Sequence, residues 1–195
     1  MKISSINSNI NFGKTAVATC SVKEKSTKKA IPATIYKMDP LSESDVREIK
    51  YSKNTRCIQY EIDMERANAP YNKGREFYLL KADKTGEVIA CAQTLHRYRN
   101  NDVQHPGLST MLEETSENTK FQNGSLPLVG YIAQRAADRY DNSIISVTGT
   151  DEPATIQKKL RFKETKTDGV YALSKRRFEN FINKAKQQTQ LEIIS

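Results

Sequence analysis

Tryptophan is absent from this 195-residue sequence, histidine occurs twice and cysteine three times. The three cysteines, Cys20, Cys57 and Cys91, are odd in number and widely spaced, with no Cys-x-x-Cys and no paired His. That pattern excludes a disulfide framework and a zinc site, and predicts reduced thiols in a cytoplasmic protein. No motif sets His96 or His105 beside a thiol, so a Cys–His nucleophile is not expected. Long apolar runs are missing too. Nothing approaches the roughly 20 residues that a membrane span needs. Met1-Lys-Ile-Ser-Ser-Ile lacks the apolar region of a signal peptide, and no internal repeat is visible.

What the chain has is positive charge, +8 overall, unevenly spread. Residues 1–32 hold six lysines, Lys2, Lys14, Lys23, Lys25, Lys28 and Lys29, against Glu24, a balance of +5. The other 163 residues carry 25 basic and 22 acidic side chains, a balance of +3. A nucleic-acid face needs its cations gathered on a folded surface, so nucleic-acid binding is not the expected function. Residues 1–32 are rich in Ser, Asn, Lys and Thr with scattered apolar residues, which predicts a disordered basic leader. Such a leader also suits export by a dedicated secretion system, but plain disorder is the simpler expectation.

Residues 33–195 predict a single folded domain. Ala33–Met38 alternates as a strand, and Asp39-Pro40 breaks it. Ser42 and Asp45 suit a capping box, with Leu41 stapled onto Val46, at the start of a helix running to Ile49. A second helix is expected over 55–67. Glu76–Ala82 and Glu87–Leu95 read as two strands around Asp83-Lys-Thr-Gly86, a turn ending in glycine. Leu108–Leu112 suits a short strand. From Leu126 to Tyr140, Val129, Ile132, Ala133, Ala136 and Tyr140 share one helical face. Ser143–Thr148 is β-branched enough for a buried strand, with Ile144, Ile145 and Val147 in a parallel core position. Asp151-Glu-Pro153 opens a helix ending near Phe162, since proline is tolerated in a first turn. A strand at 169–174 and an amphipathic helix marked by Phe178, Phe181, Ile182 and Ala185 close the pattern.

This order of elements resembles the GNAT N-acetyltransferase superfamily. Phe77–Ala90 looks like the family's central hairpin, and Pro153–Phe162 like its late helix. Gly169–Leu173 is similar to its last strand. The resemblance covers about residues 33–175. It implies an α/β (α+β) fold with a mixed, mostly antiparallel sheet flanked by helices and splayed at its centre, where acetyl-CoA is held as co-substrate. The family's pyrophosphate loop reads Arg/Gln-x-x-Gly-x-Gly/Ala ahead of its central helix. Small residues there let backbone N–H groups approach the phosphates, and the helix dipole favours their charge. The corresponding stretch is Lys120-Phe-Gln-Asn-Gly-Ser125. Lys120 stands for the basic position, Asn123 for the first glycine, Gly124 for the variable position and Ser125 for the small last one. A second registration begins at Gln122 and sets Ser125 and Pro127 at the glycine positions.

The implied activity is transfer of an acetyl group to an unidentified amine acceptor by direct attack, with no covalent enzyme intermediate. Candidate general bases are Glu113 and Glu114, at the end of the strand beside the expected opening. The Tyr that serves many family members as general acid is replaced by Gln157, which cannot protonate a leaving thiolate, and Arg161 replaces the usual Gly before Phe162. Tyr131 and Tyr171 are the surrogate acids on offer. The alternative is a non-catalytic protein of the same fold that binds CoA or a protein partner. The sequence carries no signal for oligomeric state.

Overall fold

The computed structural model describes residues 13–52, 55–68, 74–97, 107–139, 144–149, 163–164 and 170–194. Its first two strands correct the sequence reading. β1 (Thr15–Glu24) and β2 (Ala30–Met38) form an antiparallel hairpin, so the second half of the segment expected as a disordered leader belongs to that hairpin, while residues 1–12 lie outside the described residues. The physical reason lies in Ala18, Cys20 and Val22. They alternate inward from β1 and are buried beneath helices, although each side chain is small.

Helices α1 (Glu43–Lys50) and α2 (Arg56–Asn68) follow, then β3 (Arg75–Ala82), β4 (Val88–Arg97) and β5 (Gly107–Glu114). The expected capping box does not form at α1. Ser42 sits at the cap without a side-chain capping bond, its hydroxyl meeting that of Ser44 at 2.9 Å, Asp45 turns back to accept the Asp39 N–H at 3.0 Å, and Leu41 is exposed. After β5 come a short 3-10 turn (Ser116–Lys120), β6 (Phe121–Gln122) and α3 (Leu126–Arg139). Then follow β7 (Ile144–Gly149), β8 (Lys163–Glu164), β9 (Val170–Ser174), α4 (Lys175–Thr189) and β10 (Glu192–Ile193). The helix expected over 152–160 lies outside the described residues, with Gln157 and Arg161.

The strands form one sheet in the order β10-β1-β2-β3-β4-β5-β7-β9-β8, with β6 paired to β1. β5 and β7 pair in parallel, and the other described pairs are antiparallel. Ile144, Ile145 and Val147 therefore stand in a parallel strand, as expected, between β5 and β9.

Both faces of the sheet are covered, which explains the unbroken apolar run of β3. Tyr78 and Leu80 pack toward α3 and α4, against Ile132, Ala136, Phe178 and Ala185. Phe77 and Leu79 pack toward α1 and α2, against Ile49, Ile58 and Ile62. A Cβ on Gly130 of α3 would lie 2.5 Å from the Ala185 Cβ of α4, so glycine there sets how closely the two helices approach. No helix among the described residues is long and apolar enough to cross a membrane.

Candidate functional site

Among the described residues the parallel pair runs from Gly107–Ile144 to Leu112–Gly149, and Glu113 and Glu114 follow on β5 beyond the last described pair. Alternation along β5 sends the two carboxylates to opposite faces. Glu113 is 4% exposed, and its Oε2 accepts the Ile58 N–H at 2.8 Å in the first turn of α2. A carboxylate there satisfies an orphan donor and faces the positive end of the helix dipole. Glu113, expected as a base, is thus engaged as a helix cap. Glu114 is half-buried on the α3 side and accepts the Ser125 hydroxyl at 2.5 Å.

The Lys120–Ser125 loop is built differently from the expectation of an open phosphate cradle. Exposed Lys120 bonds to Glu117 and, at 2.7 Å, to Glu87, and these carboxylates hold its ammonium pKa well above the ordinary value. Gln122 and Asn123 are exposed, and Asn123 takes the left-handed conformation with φ of 54°. Gly124 is buried. A Cβ there would meet Asn118 Oδ1 at 2.7 Å and Ile89 Cγ2 at 3.0 Å, so this glycine makes room for the domain's own side chains. Ser125 is 1% exposed. In the first turn of α3, Pro127 has no N–H, and the Leu126 N–H donates to Asn123 O. The Val129 N–H goes to Ser125 O, and Leu128 is buried.

Two features at this end escaped the sequence reading. First, β6 pairs with the end of β1, Lys23 opposite Gln122 and Glu24 opposite Phe121, and the Lys25 N–H donates to Lys120 O at 2.8 Å. The loop before α3 is therefore fastened to the β1–β2 turn. Second, a polar cleft of about 280 Å³ lies on the α1 side, lined by Glu48, Tyr51, Lys81, Glu87, Thr115 and Glu117 among others. Thr115, in its lining, donates to Val88 O at 2.5 Å.

A buried ionic cluster occupies the opposite end of α3. Glu76 accepts from Lys37 Nζ at 2.7 Å, the Tyr78 hydroxyl at 2.6 Å and Arg135 Nη2 at 2.9 Å. Burial alone would raise the Glu76 pKa, but the bonds from Lys37 and Tyr78 and the Arg135 charge overcome it and lower the value to about 2. His96, pushed down by burial, accepts from Arg139 Nη1 at 2.9 Å. Tyr131 packs edge-on to Tyr78, with ring centroids 5.4 Å apart, and so belongs to this cluster. The Tyr171 side chain lies outside the described residues. Cys20 and Cys91 are buried free thiols, and burial raises the Cys20 pKa to about 12. Among the described residues, no group of three or more His, Cys, Asp or Glu is arranged to hold a metal.

No family model matches the sequence, and no curated protein matches it. Solved structures do. A point mutant of the AtaT toxin, bound to the C-terminus of the antitoxin AtaR and to acetyl-CoA, aligns with a TM-score of 0.55 at 13% identity, covering 77% of this chain and 98% of that one. The KacTA–DNA complex aligns with a TM-score of 0.56 at 12% identity, covering 78% and 99%. FdhC, a nucleotide-linked sugar GNAT solved in its apo form, aligns with a TM-score of 0.51 at 11% identity, covering 86% and 93%. Strand order, the parallel β5–β7 pair and these neighbours together give the chain the GNAT fold of the N-acetyltransferases.

Proposed function

We propose that this protein is an acyl-CoA-dependent N-acyltransferase in which an amine attacks the thioester directly. The observation that supports the reading best is the end of β5, where Glu114 meets Ser125 at the start of α3, just beyond the last described β5–β7 pair. An AtaT structure of the same fold holds acetyl-CoA. The acceptor amine bonds to the thioester carbonyl carbon. The C–S bond breaks, CoA leaves as the thiolate, and the amine proton passes to Glu114 directly or through water. A thiol is fairly acidic, with a reference pKa near 8.5, so the thiolate leaves without a dedicated acid, slowly, and turnover rises with pH as the acceptor amine loses its proton.

Saturating acetyl-CoA is expected to raise the melting temperature, because a ligand held only by the native state stabilises it. Thiol release with a panel of amines then measures transfer. Glu114→Gln is expected to lower the rate with little change in melting temperature, whereas Glu113→Gln is expected to lower the melting temperature. An unmoved melting temperature in acetyl-CoA would count against the site.

A second reading, a non-catalytic protein of this fold that binds CoA or a protein partner, is favoured by one observation. The loop before α3 packs inward, and Pro127 removes a donor from the first turn. The AtaT neighbour, bound to its antitoxin, illustrates the partner class. Acetyl-CoA binding with no transfer to any amine would select this reading.

A further inference from the structure

Four lysines elsewhere in the described structure are paired, Lys14 and Lys81 with Glu48, Lys37 with Glu76, and Lys120 with Glu87 and Glu117, while others such as Lys50 and Lys84 stand singly on the surface. Lys23, Lys25, Lys28 and Lys29 differ. All four are exposed, they fall within seven residues of the β1–β2 hairpin, and none forms an ion pair among the described residues. The one acid among them, Glu24, accepts from the Thr27 hydroxyl at 2.5 Å. Four ammonium groups against one carboxylate leave a local balance of +3, which favours a ligand that brings negative charge.

Their position says what kind. β6 joins this hairpin to the segment entering α3, and only the chain from Gln122 to Leu126, at most ~14 Å when extended, separates that pairing from the helix start. The α3 start itself is poor in anion donors, as Pro127 and the used Leu126 N–H show. Lys28 adds an independent sign. It holds φ of 60°, where the corresponding place of the β3–β4 turn has Gly86. A side chain in that conformation is strained, so the lysine is kept at a cost in stability.

We infer that the β1–β2 turn is a phosphate-binding rim for the acyl-CoA, with Lys23, Lys25, Lys28 and Lys29 meeting the diphosphate and 3′-phosphate of CoA that the α3 start cannot neutralise alone. The inference rests on the acyl-CoA reading above. Four lysines on one tight turn match a ligand with three phosphate groups, whereas a nucleic-acid duplex demands a longer cationic track.

The test titrates the full chain with CoA, with dephospho-CoA and with pantetheine, which lacks phosphate. Wild type is expected to bind CoA more tightly than dephospho-CoA, and both more tightly than pantetheine, with an affinity for CoA that falls as salt rises. Replacing all four lysines by Gln is expected to weaken CoA roughly tenfold, the sum of several exposed charge pairs, while leaving pantetheine unchanged. Lys28→Gly separates binding from folding, since it is expected to raise the melting temperature and still weaken CoA. A wild type that binds CoA with the four-lysine variant binding it equally well would overturn this inference alone. A wild type that binds neither CoA nor pantetheine would overturn it together with the acyl-CoA reading. Lysine-dependent binding of an RNA oligomer, with CoA binding indifferent to the lysines, would also overturn it.

Discussion

The β1–β2 and β3–β4 hairpins turn on the same backbone. In the first, the Glu24 N–H donates to Lys29 O and the Lys28 N–H to Glu24 O; in the second, the Ala82 N–H donates to Glu87 O and the Gly86 N–H to Ala82 O. Lys28 and Gly86 thus hold the same place, with φ of 60° and 71°. The second hairpin uses the residue that the conformation favours, and it carries one exposed lysine, Lys84, between Asp83, which accepts from Thr34, and Glu87, which pairs with Lys120. The first uses a strained lysine among unpaired ones. Equal geometry with unequal chemistry teaches that the second turn is built for folding and the first for something that approaches from outside.

The comparison breaks most severely if the first hairpin is removed. Deleting residues 1–32 takes away β1 and the start of β2, uncovering Ala33, Ile35 and the inner faces of α3 and α4. The expected outcome is loss of a cooperative thermal transition by circular dichroism, where a disordered leader would have left it unmoved. Next in size is the link between the hairpins at their far end, where Lys37 of β2 meets Glu76 of β3. The Glu76 pKa is lowered from the ordinary 4.5 to about 2, so its stabilising contribution is present above pH 4.5 and is lost as pH falls toward 2. Its size is about 2–3 kcal/mol. Acid denaturation of Glu76→Gln is expected to start from lower stability and to show a flatter dependence across that window.

Smaller effects sharpen the contrast at the turns themselves. A Cβ at Gly86 meets no atom within 4 Å, so the cost of Gly86→Lys is expected to be mainly backbone strain, about 1–2 kcal/mol by chemical denaturation. The reverse change, Lys28→Gly, relieves strain but frees the unfolded chain, and a net gain of about 0.5–1 kcal/mol is expected. Should Lys28→Gly lower stability instead, Lys28 would be a structural residue and the contrast between the turns would disappear.

The second hairpin was legible because Asp83-Lys-Thr-Gly86 advertises its turn and Phe77–Leu80 its strand. The first was obscured by its own chemistry. Ala18, Cys20 and Val22 alternate correctly but carry little apolar weight, and Lys25-Ser-Thr-Lys28 has no glycine or asparagine to mark a reversal. That alternation was the signal that would have found β1. α3 was readable from its periodic face, and β7 from its β-branched run. The roles of Glu113 and Glu114 were not readable, since adjacent residues on a strand part to opposite faces and each partner, Ile58 or Ser125, comes from a different helix end. The Glu76 cluster joins residues from β2, β3, β4 and α3, a convergence that no local pattern announces.

The outer edge of β1 is covered in two places, by β6 at Lys23–Glu24 and by β10 at Ala18–Thr19. Its partners leave the ribosome about 100 and 170 residues after β1 itself. During synthesis the β1–β2 hairpin consequently stands with a bare row of backbone donors and acceptors until the last strand arrives. A stalled or truncated chain lacking Glu192–Ile193 would keep that row open to strands of other nascent chains. Glu192–Ile193 thus act as the stopper for β1.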